Sequence, residues 1–139
     1  LVITIIIIGV LAVTVLPRFN RSGYGEASLA EQLRSAAQLV QTQNMNHRGQ
    51  QFCLQIESSY YYLSYISGGI CSTTTYASRD ASIKSNVEQH AYPSGVNVSP
   101  IGTLIFDRDG LANLSQLTIS SSSETYKLKI NSGGYIYVD

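Results

Sequence analysis

An excess of charge of either sign is missing from this sequence. Nine Lys and Arg balance nine Asp and Glu over 139 residues. A protein that grips nucleic acid by bulk electrostatics needs a basic surface that releases counterions. The balance argues against that class and leaves only a local basic patch open. Charged residues are 13% of the chain, so Ser, Thr, Gln, Asn and Tyr must supply the polarity. Tryptophan is absent and methionine occurs once, yet there are ten tyrosines. A composition rich in Thr and Tyr suits the pleated surfaces of a β-rich extracellular module.

Catalytic signatures are lacking too. No G-x-S-x-G, H-E-x-x-H, P-loop or C-x-x-C motif occurs. His47 and His90 are the only histidines, and neither stands at metal-ligand spacing from cysteines or carboxylates. His47 is expected near a helix C-terminus, where a cation is favourable. The stretch FDRDG places Asp107 and Asp109 like the start of a calcium loop, but the twelfth place is Thr118 instead of glutamate. A hairpin turn closed by side-chain-to-backbone bonds is the expectation there. The chain is read as not an enzyme, with no catalytic residue, metal or cofactor.

Cysteine is scarce as well. Cys53 and Cys71 are the only two, 18 positions apart. In an oxidising compartment they would pair, closing a loop worth about 3 kcal/mol in the chain-entropy model. In a reducing one they would be two buried thiols. The cysteines by themselves leave both readings open.

What the sequence has in plenty stands at its start: LVITIIIIGVLAVTVLPRF. Residues Leu1 to Leu16 carry no charge. As a helix they would span about 24 Å, short of the roughly 30 Å of a bilayer core. A signal peptide would show a basic start and an A-x-A-like cleavage site, and neither is present. A buried core element is the second alternative. A membrane-inserted helix that continues before Leu1 is the expectation. Nine of the sixteen residues are Ile or Val, which are stiff at χ1 and modest helix formers in water. Pro17 withholds an N–H from the preceding turn. A helix running through Gly9 and Pro17 should therefore kink or loosen between them.

After Phe19, NRSGYGEAS reads as a break or hinge. Leu29, Leu33, Ala36, Ala37 and Val40 then recur at three- and four-residue spacing, with Glu31, Gln32, Arg34, Ser35, Gln38 and Gln41 opposite. That pattern predicts an amphipathic helix from Glu26 to about 48, its apolar stripe packed on a sheet, with Gly49 ending it. From Gln51 the period becomes two. QFCLQI and YYYLSYI are strands, CSTTTYAS a polar strand, and RDASIKSNVEQHAYPSG irregular with a Pro-Gly stop. VNVSP is short and extended, and TLIF, LTIS, ETYKLKIN and YIYVD form an antiparallel tail joined by turns. Tyr60 and Tyr62 face one side of their strand and Tyr61 the other, so one side should pack against the helix. With Tyr65 they are otherwise an exposed patch for sugars or a protein. Lys127 and Lys129 share a strand face, with Arg108 as a possible neighbour, and are the one hint of a basic surface-binding stripe. The layout is α+β: residues 1–24 an apolar helix and hinge, residues 25–139 a globular head with a sheet over about 51–139.

The opening stretch, with its placement of Gly9 and Pro17, closely resembles the N-terminal helix of type IV pilins and type II secretion pseudopilins. The stretch AEQLRSAAQLVQTQNMNHRG, a strand, and then TLIFDRDGLA with LTISSSSETYKLKINSGGYIYVD looks like the GspH/FimT group of minor pilins. LPRFNRSGYGE with a cysteine just after the helix is similar to minor pilins of mannose-sensitive haemagglutinin pili. In the wider family a basic leader ends in Gly, and a prepilin peptidase cuts after it and methylates the new N-terminus. A Thr-Leu-Ile-Glu-like stretch comes next, and this sequence corresponds to the part just after its glutamate. The resemblance implies a long N-terminal helix packed on an antiparallel head. It implies a structural subunit held in the bacterial inner membrane, its head in the periplasm, and then assembled into a pilus or pseudopilus. Leu1, Ile3, Ile5, Ile6, Ile8, Leu11, Val15 and Leu16 would pack first against lipid and then against neighbouring pilin helices, two environments of similar apolarity. Partners would be other pilin subunits, the prepilin peptidase and the assembly platform with its ATPase; nucleic acid is not an expected partner. A periplasmic head would join Cys53 to Cys71. The rival reading is a tip-located adhesin or a DNA- or glycan-binding module anchored by the helix.

Overall fold

The computed structural model describes residues 24–76, 84–86 and 88–139. The apolar residues from Leu1 to Leu16 and the Gly9–Pro17 hinge lie outside the described residues.

Helix α1 spans Tyr24–Asn46, about 35 Å at 1.5 Å per residue. No Gly or Pro interrupts it after Gly25, and Glu26 stands in its first turn, where the helix dipole favours an anion. Leu29, Ala30, Leu33, Ala36, Ala37 and Val40 are buried along one stripe. The helix stops at Asn46, three residues before Gly49, which does not adopt the left-handed backbone of a glycine cap; the chain instead folds back over Asn44.

Among the described residues eleven short strands follow: β1 Phe52–Ile56, β2 Tyr60–Ser67, β3 Ile70–Cys71, β4 Thr74–Tyr76, β5 Lys84–Asn86, β6 His90–Ala91, β7 Asn97–Ser99, β8 Gly102–Ile105, β9 Gln116–Ser120, β10 Thr125–Ile130 and β11 Ile136–Val138. They make two main antiparallel sheets. The first runs β3-β2-β1-β8, with β6 also paired to β2; the second runs β11-β10-β9-β7. Strands β4 and β5 form a separate antiparallel pair. The stretch read as irregular thus contributes β5 and β6. Each is two or three residues long, too short for a period to show, and each exists because a partner strand accepts it.

The tail divides between the sheets for a local reason. Leaving β8, the chain turns through DRDG and makes one bridge, Phe106 to Ala112. Asn113 then fills the β8 edge. Its Oδ1 accepts the Ile105 N–H at 2.8 Å and its Nδ2 donates to the Thr103 carbonyl at 2.9 Å. Its own N–H bonds the Ile105 carbonyl at 3.1 Å. With that edge taken, β9 pairs instead with β7 and β10.

One core lies where α1 meets the inner faces of both sheets. Leu29, Leu33 and Val40 pack there with Leu54, Ile56, Leu104 and Phe106 of the first sheet region and Leu117, Ile119, Leu128 and Ile136 of the second. Each fully buried Leu or Ile contributes about 1.5–3 kcal/mol of transfer free energy. A smaller cluster of Cys53, Tyr62 and Cys71, flanked by Tyr60, Ile66 and Ile105, covers the opposite face of the first sheet. Strand β1 is therefore enclosed on both sides, and Cys53 is fully buried.

Candidate functional site

Two amides on α1 tie the helix to the rest of the head. Asn44 is 4% exposed. Its Nδ2 donates to the carbonyls of Phe52 at 2.9 Å and Phe106 at 3.0 Å, and its Oδ1 accepts the Phe52 N–H at 2.6 Å. One turn earlier, Gln41 Nε2 donates to the carbonyls of Gly110 at 2.8 Å and Gly134 at 2.7 Å. The alternation of the helix placed Gln41 on the solvated side, and the structure corrects this. The two turns that follow β8 and β10 rise to meet the helix, and Gln41 is half-buried between them. Gly134 has φ +79°, and a Cβ there would stand 2.3 Å from the Gly110 carbonyl oxygen, so glycine is what allows the turns to meet. Replacing Gln41 with alanine is expected to lower stability by about 1 kcal/mol. It should also speed amide exchange at Gly110 and Gly134, whose own N–H groups close these turns. Unchanged exchange at both would show that Gln41 is dispensable.

At the other end of α1, Glu26 is buried at 3% exposure. A hydrogen bond from Ser121, in the turn after β9, holds its carboxyl below the ordinary glutamate value, helped by a backbone bond and opposed by burial. Lys129 likewise lowers Asp139. Because the folded carboxyls sit below their unfolded values, the unfolded chain takes up protons first. The stabilisation is present above the unfolded carboxyl range and is lost as pH falls through the folded values. Urea midpoints should therefore drop on acidification, and Glu26→Gln should flatten the drop. An equally steep acid limb in that variant would contradict the role given to Glu26.

Cys53 and Cys71 are joined, with Cα atoms 6.0 Å apart. The link ties β1 to β3 across β2. Tyr62 packs beside it and stacks on Tyr60, with centroids 6.2 Å apart. Tyr61 faces the main core, stacked on His90 at 5.0 Å and Tyr92 at 6.4 Å. Both faces of β2 are thus covered by tyrosine packing. Burial pushes the phenols of Tyr61, Tyr62 and Tyr92 above their ordinary value.

The basic residues singled out from the sequence sit in separate settings. Arg108 donates to the Arg48 carbonyl just past the end of α1 at 3.2 Å. Lys127 and Lys129 stand on the outer face of β10, and Lys129 is paired with Asp139. In FDRDG, the Asp107 carboxylate accepts the N–H groups of Asp109 at 3.0 Å and Leu111 at 2.8 Å, the side-chain-closed turn. Among the described residues no group of three His, Cys, Asp or Glu is placed to hold a metal. What the head offers is surface. Along the edge of α1 a groove of about 470 Å³ runs between Gln32, Ala36 and Leu39 on the helix and Tyr61 and Leu63 on β2.

No protein-family model matches this chain, and no curated protein matches it. Its backbone is similar to two crystal structures of the type IV minor pilin FimU of Pseudomonas aeruginosa. One has 13% sequence identity and a TM-score of 0.59, covering 81% of this chain and 91% of that one. The other has 12% identity and a TM-score of 0.60, covering 81% and 87%. An N-terminal helix laid over antiparallel sheets is the form this chain shares with these structures: it has the type IV pilin fold, as found in minor pilins.

Proposed function

We propose that this chain is a structural, pilin-like subunit of a type IV pilus or pseudopilus. The observation that carries the reading is the joining of two features in one chain. The described residues, from Tyr24 onward, have the pilin fold, and sixteen uncharged residues from Leu1 to Leu16 precede them by only a few positions. None of the helices among the described residues is long and apolar enough to cross a membrane, so anchoring rests on that opening segment. In this reading the segment holds the protein in the inner membrane, with its head in the periplasm. It then leaves lipid for the helix bundle of a filament, a transfer that releases little hydrophobic free energy because both surroundings are apolar. The Cys53–Cys71 link suits an oxidising compartment. Processing by a prepilin peptidase, N-terminal methylation and an assembly platform belong to the same proposal.

The test is to label the chain in its own cells and shear off surface filaments. The chain should co-purify with the filaments, and its deletion should reduce their number. If filaments form unchanged without it, while the purified protein binds glycans, chitin or DNA, the anchored binding module is the better reading. Arg108, Lys127 and Lys129 would then be the first residues to replace.

A further inference from the structure

A half-open cavity of about 320 Å³ lies between the loop that leaves α1, residues 47–51, and the DRDG turn after β8. Its volume is at the small end of the range for ligand pockets. It stands at the opposite end of α1 from Tyr24 and the opening segment that precedes it in the sequence. Two guanidinium groups line it, those of Arg48 and Arg108. Arg34 is paired with Glu31 and Lys129 with Asp139, but neither Arg48 nor Arg108 has a carboxylate partner among the described residues.

The acceptors around this cavity are engaged, and the donors are in surplus. The Phe106 carbonyl takes Asn44 Nδ2 at 3.0 Å and Gln51 Nε2 at 3.4 Å. The Gln43 carbonyl takes the His47 N–H at 2.9 Å and His47 Nδ1 at 3.2 Å. The Arg48 carbonyl takes Arg108 Nη2 at 3.2 Å, which sets the second guanidinium beside the loop that carries the first. Asp107 is the one acid on the lining, and Asp109 is not part of it. The Asp107 Oδ1 accepts the N–H groups of Asp109 and Leu111 within its own turn. An arginine presents a planar fork of several N–H donors. Arg108 commits one of them, and the Arg48 guanidinium is uncommitted among the described residues. The carbonyl end of a helix disfavours an anion by roughly half a charge, which two full cations outweigh.

We infer that this cavity binds a small acidic sugar unit, whose one oxyanion, a carboxylate or a phosphate, is held by the forks of Arg48 and Arg108. Guanidinium donors match the paired oxygens of either group. The amides of Gln50 and Gln51 on the same lining offer both donors and acceptors, which suits hydroxyl groups. A nucleic-acid strand fits poorly. The charges of the chain balance, and the site offers two cations where a strand needs a basic track with aromatic platforms. The cavity is half-open, so binding is weak and rests on the geometry of the forks more than on the field of the whole head. The site serves a structural subunit and an anchored binding module alike, and does not rest on filament assembly.

Titration followed by NMR suits a weak ligand, and each spectrum also shows that the variant is folded. Glucuronate, inorganic phosphate and glucose are added separately to the isotope-labelled full chain in detergent. At least one of the two anions should give saturable shifts at the Gly49 amide and at the Arg48 and Arg108 side chains, and glucose should give none. A response to glucuronate identifies the carboxylate as the recognised group, and a response to phosphate alone identifies the phosphate. Arg48→Gln and Arg108→Gln should each weaken binding about tenfold, the effect of losing a charged hydrogen-bonded pair. Arg108→Lys keeps the charge but loses the fork, and should weaken binding nearly as much. Lys127→Gln, on the outer face of β10, should bind as the unaltered chain does. The inference is overturned if neither anion gives saturable shifts, if glucose or chloride at equal concentration does as well, or if both glutamine variants at Arg48 and Arg108 bind unchanged. It is equally overturned if Lys127→Gln weakens binding as much as they do, or if Arg108→Lys does not weaken it.

Discussion

Asn44→Ala should lower the unfolding free energy by about 3 kcal/mol, since a buried donor or acceptor left unpaired costs about 1–3 kcal/mol and several are freed at once. The amide joins the Phe52 N–H and the carbonyls of Phe52 and Phe106 in one place. Without it the Phe52 N–H loses its acceptor, and the last turn of α1 loses its link to the start of β1 and the end of β8. The variant Asn44→Leu separates this loss from a packing defect. It restores volume but leaves the same groups unpaired, so it should be nearly as unstable as alanine. Urea unfolding of each variant reads the result as a shift in midpoint at an unchanged slope. If leucine restored the midpoint, the amide would be acting as a space-filler.

Replacing both Cys53 and Cys71 with alanine is expected to cost about 3 kcal/mol, the chain-entropy value for a loop of this size. The link closes residues 53–71 and holds β3 against the first sheet. Its loss would also open the small cluster around Tyr62. The unfolded chain, no longer cross-linked, exposes more surface, so the urea slope should rise as the midpoint falls. A reductant added to the unaltered chain should move the midpoint the same way. An unmoved midpoint would mean that the small cluster holds β3 without the bond.

The main helix is legible because its signal is local. Leu29, Leu33, Ala36, Ala37 and Val40 announce one face by spacing alone, and that face is the buried one. The longer strands are legible for the same reason, by a period of two. Gln41 and Asn44 look like any polar residues near a helix end, because nothing nearby in the chain marks an amide as a clamp. Their partners are 62 to 93 residues away across the fold, apart from Phe52. Strands β5 and β6 are too short to carry a pattern. The split of the tail between two sheets turns on Asn113, whose role depends on where β8 ends.

The joining of the cysteines falls between these cases. Their number and spacing allow a link, and its existence follows from a 6.0 Å approach that only pairing of β1, β2 and β3 creates. Charge balance, the uncharged start, the amphipathic helix and the β-rich remainder were determined by the sequence itself, since each depends on composition or on residues a few places apart. Which strands share a sheet, which polar side chains are buried, and how the β8 edge is closed were decided by the tertiary structure. Each of those depends on groups distant in the chain meeting at hydrogen-bond range, and no local period encodes such a meeting.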